Sequence, residues 1–323
     1  MTMFRGLHLV PPDTRIDFMR LRLIAFAVSA LMVVGSIGLI AVKGLNFGID
    51  FRGGILMEVK TPGPADLGNL RGQLSALGLG EVALQEFGAA DAVLIRIQRQ
   101  EGDEKAQLRA VGQVKEALGE QLEYRRTEFV GPKVGGELID DALLAVVLAL
   151  GGIAAYIWFR YEWQFGINAI IATFHDCITT VGLFALLGLE FNLSTVAAVL
   201  TIAGYSVNDT VVIYDRVREE LRRYKKMPLY DLINLALNKT LSRTVMTSGL
   251  TLLSLIALYG FGGEVLRSFS LALIWGIVIG TYSTVFIATP LLLYMNLRRG
   301  GSAPVKAAED KTKPAADAPG GGA

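Results

Sequence analysis

Residues 193–214 read LSTVAAVLTIAGYSVNDTVVIY, and this stretch decides the fold class. It is long and apolar enough to cross a hydrocarbon core, which takes about 20 residues of helix, yet it contains Asp209. An acid in the middle of a membrane helix costs on the order of 3 kcal/mol, so one that is kept there marks a proton or ion path by default. A second charge, Arg243, stands at the start of the next apolar stretch. Together the two predict a membrane protein that moves charge.

Working outward, apolar runs at 21–42, 139–159, 165–188, 241–259 and 269–297 join 192–214 to give six expected spans. The composition agrees: 52% of residues are hydrophobic, and the 19% that are charged gather in blocks between the runs. The first run exceeds the 7 to 15 residues or so of a signal-peptide core and reads as a retained anchor. Lys and Arg crowd the segments 1–20 and 215–240, which places both in the cytoplasm and returns both termini there; 215–240 reads as a basic cytoplasmic loop. Trp158, Tyr161 and Trp163 fall where an interfacial aromatic belt is expected. The tail 298–323, rich in Ala, Pro, Gly and Lys, has too little apolar surface to order itself and reads as a flexible cytoplasmic end. Cys177 is the single cysteine, so no internal disulfide forms.

Residues 43–138 are too many and too polar for an unstructured loop and predict a small periplasmic domain. Strand patterns at 54–60, 82–87, 92–98 and 122–130 alternate with helical patterns at 65–77 and 103–118. The order βαββαβ predicts an α+β ferredoxin-like unit. Val93, Ile95 and Ile97 alternating with Leu94, Arg96 and Gln98 predict a half-buried strand.

The polar residues within the spans repeat at helical spacing. Thr201, Tyr205 and Asp209, with Asn208 beside them, are read as one face of the fourth span; Arg243, Thr247, Thr251 and Ser254 stripe the fifth; His175, Asp176, Thr179 and Thr180 lie in the third. Desolvation and a facing guanidinium act in opposite directions on a carboxyl group, so Asp209 and Arg243 approaching each other make a protonation switch, with Asp176 deeper in the membrane. The plain alternatives are a static buried ion pair and hydroxyls that only pack helices together. Gly276 and Gly280 are spaced for close helix approach. Nothing in the sequence forms a metal-ligand cluster, a phosphate loop or a hydrolase motif, so neither an enzyme nor a cofactor is expected. An intramembrane aspartyl protease needs two carboxylates at one depth, whereas Asp176 and Asp209 are offset and its GxGD word is missing.

Four words in order, LNFGIDFRGG at 45–54, HD at 175–176, GYSVNDTVVIYDRVRE at 204–219 and SRTVMTS at 242–248, resemble the SecF branch of the SecD/SecF family, within the resistance-nodulation-division superfamily. The resemblance covers about 15–299 and implies six membrane helices with a periplasmic domain after the first. It also implies a multi-pass protein of the bacterial cytoplasmic (inner) membrane that uses the proton-motive force to assist late preprotein translocation. The coupling ion would be the proton, with sodium left open. Implied partners are SecD as heterodimer, the SecYEG channel, SecA, YajC, the translocating preprotein and membrane lipid, with no nucleic acid. The family's proton-path positions fall on Asp209 and Arg243, with Asp176 as an accessory and Tyr205, Asn208, His175 and Thr247 in support. The word Asp50, Phe51, Arg52, Gly53, Gly54 shapes the entry to the outer domain. Half of a small-molecule or lipid exporter of the same superfamily is the competing expectation.

Overall fold

The chain is described by a computed structural model over residues 11, 14–80, 82–102, 104–119, 121–130, 132–295 and 297; the expected tail 298–323 and the first ten residues lie outside these. A short 3-10 turn, Phe18–Leu21, leads into α1, Arg22–Lys43, which ends where Gly44 turns left-handed at φ 73°. There follow β1 (Asn46–Phe47), α2 (Ile49–Arg52), β2 (Gly54–Lys60), α3 (Leu67–Ser75), β3 (Val82–Phe87), β4 (Ala89–Ile97), α4 (Glu104–Leu118) and β5 (Glu123–Val130). From β2 to β5 the order is the expected βαββαβ, and the antiparallel sheet runs β3-β4-β2-β5 as a ferredoxin-like unit requires.

The pleat sends Ile55, Met57 and Val59 of β2 and Val93, Ile95 and Ile97 of β4 to one face, where they bury against Leu70 and Leu74 of α3 and Val111 and Val114 of α4. Asp66 starts α3 by accepting from the N–H groups of Gly68 and Asn69, each at 3.0 Å. One strand departs from the alternation read in the sequence. Leu94, expected on the open face, is buried with Leu56 against Ile49, because α2 folds over that side of the sheet.

The remaining helices are α5 (Pro132–Arg160), α6 (Trp163–Leu187), then β6 (Glu190–Phe191), α7 (Leu193–Arg223), α8 (Leu229–Phe261), α9 (Glu264–Ser283) and α10 (Thr289–Leu291). Six helical segments are long and apolar enough to cross a membrane: Phe18–Lys43, Gly136–Arg160, Trp163–Leu187, Leu193–Arg223, Leu229–Phe261 and Leu266–Tyr294. Over half of α6, α7 and the last span is buried (56%, 56% and 61% of their most apolar windows), against 17%, 6% and 17% for α1, α5 and α8. Three helices therefore form the interior and three flank it. Small residues set the spacing, since a Cβ on Gly182 of α6 would overlap Ser36 of α1, and one on Gly276 of α9 would meet Ile202 of α7 at 2.3 Å.

The stretch 215–240, read from sequence as a basic loop, is mostly helix. α7 continues to Arg223, α8 begins at Leu229, and only Tyr224–Pro228 connects them. Leu232, Ile233, Ala236 and Leu237 recur at helical spacing and are buried in the main core, while Asp231, Asn234, Asn238 and Lys239 on other sides dilute the hydropathy. Asn234 and Tyr230 hold Asp17, with Nδ2 and the hydroxyl donating at 2.7 and 2.8 Å, and Asn238 brackets the backbone of Ile16. Glu220, wholly buried, joins the adjoining ends of α7 and α8 by ion pairs with Arg216 (3.0 Å) and Lys239 (2.7 Å).

The last span is continuous but not uniform. After Ser283 one π-helical turn, Thr284–Ala288, precedes α10, and a 3-10 turn, Leu292–Tyr294, ends it. Pro290 has no N–H and its ring crowds the carbonyl four residues back; the wider turn takes up that misfit, and the Thr289 hydroxyl donates to the Thr284 carbonyl at 2.7 Å.

Candidate functional site

The interior helices meet around a seam of polar side chains. Asp176 of α6 is fully buried and accepts from the Ser206 hydroxyl of α7 at 2.6 Å and the Ser283 hydroxyl at the end of α9 at 2.7 Å. His175 Nδ1 lies 2.9 Å from its other oxygen, and the imidazole Nε2, also buried, has no hydrogen-bond partner among the described residues. Gly280 leaves the room this needs, because a Cβ there would stand 3.3 Å from Ser206 and 3.6 Å from the carboxylate. The hydroxyls of Thr179 and Thr180 are turned back onto the carbonyls of His175 and Asp176, at 2.9 and 2.7 Å. Away from the small domain the seam continues through Thr210 and Thr284, whose hydroxyls are 2.9 Å apart.

Asp209, three residues beyond Ser206 on α7, is 3% exposed, and among the described residues its Oδ2 has no hydrogen-bond partner. The polar groups facing it are Arg243 and Ser248, both on α8, and Ser248 in turn shares a hydrogen bond with Thr281 of α9 at 2.9 Å. A buried carboxylate with an open oxygen is a site at which a proton can be taken up without breaking an existing bond. Asp209 and Asp176 thus differ in kind: one is partnered by three groups, the other keeps acceptor capacity in hand.

Arg243 acts on Asp209 across α7 and α8 without an ion pair within 4.0 Å between them. α8 lies on the flank of the bundle, so its arginine stays exposed at the open edge while Asp209 turns inward. One expectation is corrected: Thr201, Tyr205, Asn208 and Asp209 do not share one face. Steps of four residues drift by about 40° on a helix with 3.6 residues per turn. Thr201 and Asn208 are exposed, Tyr205 is half-buried with its hydroxyl 3.5 Å from that of Thr251, and Asp209 is inside. Ala197, Thr201, Gly204 and Asn208 form an exposed strip of small and polar groups down α7, with Arg243 beside it on α8. Thr247 bonds only locally, its hydroxyl donating to the Arg243 carbonyl at 3.0 Å and the Thr244 carbonyl at 3.1 Å.

The glycine-rich word lies at the other end of α7. Asp50 Oδ2 accepts the Leu193 N–H at 3.0 Å, and Phe51 stacks with Phe191 at 6.1 Å between ring centres. Arg52 is exposed at the end of α2. Gly53 and Gly54 take φ 69° and 125°, and a Cβ on Gly54 would sit 2.6 Å from the Ile97 carbonyl oxygen, so glycine is required for β2 to enter the sheet. Sequence reasoning missed Ser206 and Ser283. Both sit at helical spacing from residues it did single out, Ser206 from Asp209 and Ser283 from Gly276 and Gly280, but a serine in a membrane helix carries no mark of its partner.

A six-helix membrane bundle with carboxylates buried on its interior helices and one ferredoxin-like domain inserted after the first helix defines a half of the resistance-nodulation-division type. Residues 110–298 match the family described as "Protein export membrane protein SecD/SecF, C-terminal", and residues 38–61 match the "SecD/SecF GG Motif". The chain belongs to the SecD/SecF family. It is 44% identical over 304 residues to a protein of Cereibacter sphaeroides named protein translocase subunit SecF, covering 91% of this chain and 94% of that one. The protein of the same name from Desulfurispirillum indicum is 43% identical, covering 88% and 92%. The crystal structure of SecDF from Thermus thermophilus, described as a translocon-associated membrane protein, superposes with a TM-score of 0.80 at 36% identity. That match covers 88% of this chain but only 39% of the longer SecDF chain. A crystal structure of SecDF in a super-membrane-facing form matches with a TM-score of 0.64 at the same identity, covering 87% of this chain and 38% of that one.

Proposed function

We propose that this chain is the SecF-type half of a SecDF complex in a bacterial cytoplasmic membrane, with both termini inside and the ferredoxin-like domain in the periplasm. There it uses inward proton movement to assist late preprotein translocation through SecYEG, alongside SecA and YajC. The observation that carries the reading is Asp209: a buried carboxylate with an open oxygen, one helix face away from an exposed polar strip. Asn208 and Arg243 on that strip are costly against lipid, so a second helical half covers them. SecD is the covering subunit in this reading, and the proton route runs along the seam between the halves. Because Arg243 does not hold Asp209 in a contact pair, it acts as a nearby positive charge that favours release of the proton again.

Asp209→Asn keeps the shape and removes the titratable group. In proteoliposomes containing SecD and SecYEG, proton-dependent stimulation of translocation should fall about tenfold or more, while the variant still co-purifies with SecD. Full stimulation by the Asn variant would overturn the assignment. Arg243→Lys should be impaired as well, since an ammonium group does not reproduce the reach and delocalised charge of a guanidinium.

A further inference from the structure

The small domain is fastened to the outer end of α7 by contacts that the proton site does not need. β1 pairs in parallel with β6, Asn46 beside Glu190 and Phe47 beside Phe191, and the Gly48 N–H donates to the Phe191 carbonyl at 2.9 Å. From the middle of the sheet, Arg96 of β4 reaches down to this pair. Its Nη2 is 2.7 Å from Glu190 Oε2 and its Nη1 donates to Asn46 Oδ1 at 3.1 Å, with both charged side chains less than one-fifth exposed. Asn46 Nδ2 donates in turn to the Gly188 carbonyl at 3.1 Å, and Asp50 accepts the first N–H of α7. Phe47, Phe51 and Phe191 close an aromatic cluster around the joint, extended by Phe184 of α6. A side chain at Gly48 would press on the joint, because a Cβ would fall 2.5 Å from Glu190 Oε1 and 3.2 Å from the Asn192 Cβ.

α7 is one uninterrupted helix from Leu193 past Asp209, a lever of about 24 Å at 1.5 Å per residue. Besides the joint, the domain is tied covalently at Gly44–Leu45 and where β5 runs into α5 between Val130 and Pro132, and neither connection reaches α7. A half-buried charge-assisted bond between two different parts of the fold is sterically specific, and it transmits displacement where a loop absorbs it.

We propose that Asp50, Arg96 and Glu190 are positioning residues that lock the small domain onto the outer end of α7, so that a shift of α7 at Asp209 is delivered to the domain as movement. The proposal rests on the proton-coupled reading above, and the test separates the two. In the intact complex with SecD in nanodiscs, spin labels on cysteines at Ser75 of α3 and Phe261 of α8, both exposed, report the position of the domain against the bundle, with Cys177 replaced by Ala. The Asp209→Asn substitution, as a mimic of the protonated acid, should change the distance distribution in the otherwise unaltered chain. Arg96→Gln, Glu190→Gln and Asp50→Ala should each reduce that change by about half or more. The Arg96→Gln, Glu190→Gln double variant should be no worse than either single one, because the pair acts as a unit. Lys60→Gln breaks the 3.4 Å ion pair with Asp91 on the same sheet, away from the joint, and should leave the response intact. An undiminished response in all three joint variants would overturn the positioning role while leaving the proton reading standing. No response to Asp209→Asn even with the joint intact would overturn the coupling itself, and the positioning role with it.

Discussion

Substitutions at Asp176 distinguish a carboxylate that holds helices together from one that only carries charge. Asp176→Ala removes the acceptor for Ser206 of α7 and Ser283 of α9 and the partner of His175. Hydrogen bonds between membrane helices contribute about 0.6 kcal/mol on average and up to about 1.7. Bonds of 2.6 and 2.7 Å to a carboxylate belong at the upper end of that range. Ser283 recovers part of its loss, since its hydroxyl also reaches the Gly280 carbonyl at 3.1 Å. Two interhelical bonds less this recovery, with a small cavity added, give a loss of about 3 kcal/mol, more than a hundredfold in the folding equilibrium. Asp176→Asn keeps an oxygen for the two serines and offers an N–H to His175 Nδ1, so its loss should stay near 1 kcal/mol. Reversible unfolding in mixed micelles, titrated with denaturing detergent, measures both. The reasoning fails if the Ala variant is within about 1 kcal/mol of the parent, or if Asn costs as much as Ala.

Three other outcomes follow from local geometry. Gly276→Leu must displace Ile202, whose Cγ1 lies 2.3 Å from the position of a Cβ, and should cost about 1–3 kcal/mol in the same titration; Ile202→Ala in the same chain should relieve part of that cost. Gly54→Ala forces a side chain onto φ 125° and against the Ile97 carbonyl, so the small domain should lose about 2 kcal/mol or more, read as faster proteolysis between 54 and 130 with the membrane helices intact. Burial raises the Glu190 carboxyl above its ordinary 4.5, against the lowering pull of Arg96 and with help from Asp50. The folded chain then holds this proton more tightly than the unfolded one, so the contribution is fully present below pH 4.5 and is lost as the pH rises through the elevated value. Thermal unfolding followed across that window should show this slope in the parent and not in Glu190→Gln.

The spans and the inserted domain were legible because their signals are local: runs of apolar residues, a two-residue period in β2 and β4, left-handed glycines at 53 and 54. The inner part of α8 was not, since Asn234, Asn238 and Lys239 lower its hydropathy while Leu232, Ile233, Ala236 and Leu237 carry its burial. Asp209, Asp176 and the arginine could be singled out because a charge among apolar neighbours is conspicuous. Which way each pointed depended on the rotation of one helix against another, a property with no one-dimensional signature. The same limit hid Ser206 and Ser283, and it left the distance between Asp209 and Arg243 unread.

That open edge bears on how much of this polypeptide a cell can tolerate. Copies synthesised in surplus would leave an amide and a guanidinium among acyl chains with nothing to offset the solvation penalty, and would insert poorly, self-associate or be cleared by proteolysis. In the proposed complex, supply of the two halves would therefore have to be matched, and unequal expression should shorten the lifetime of whichever is in excess.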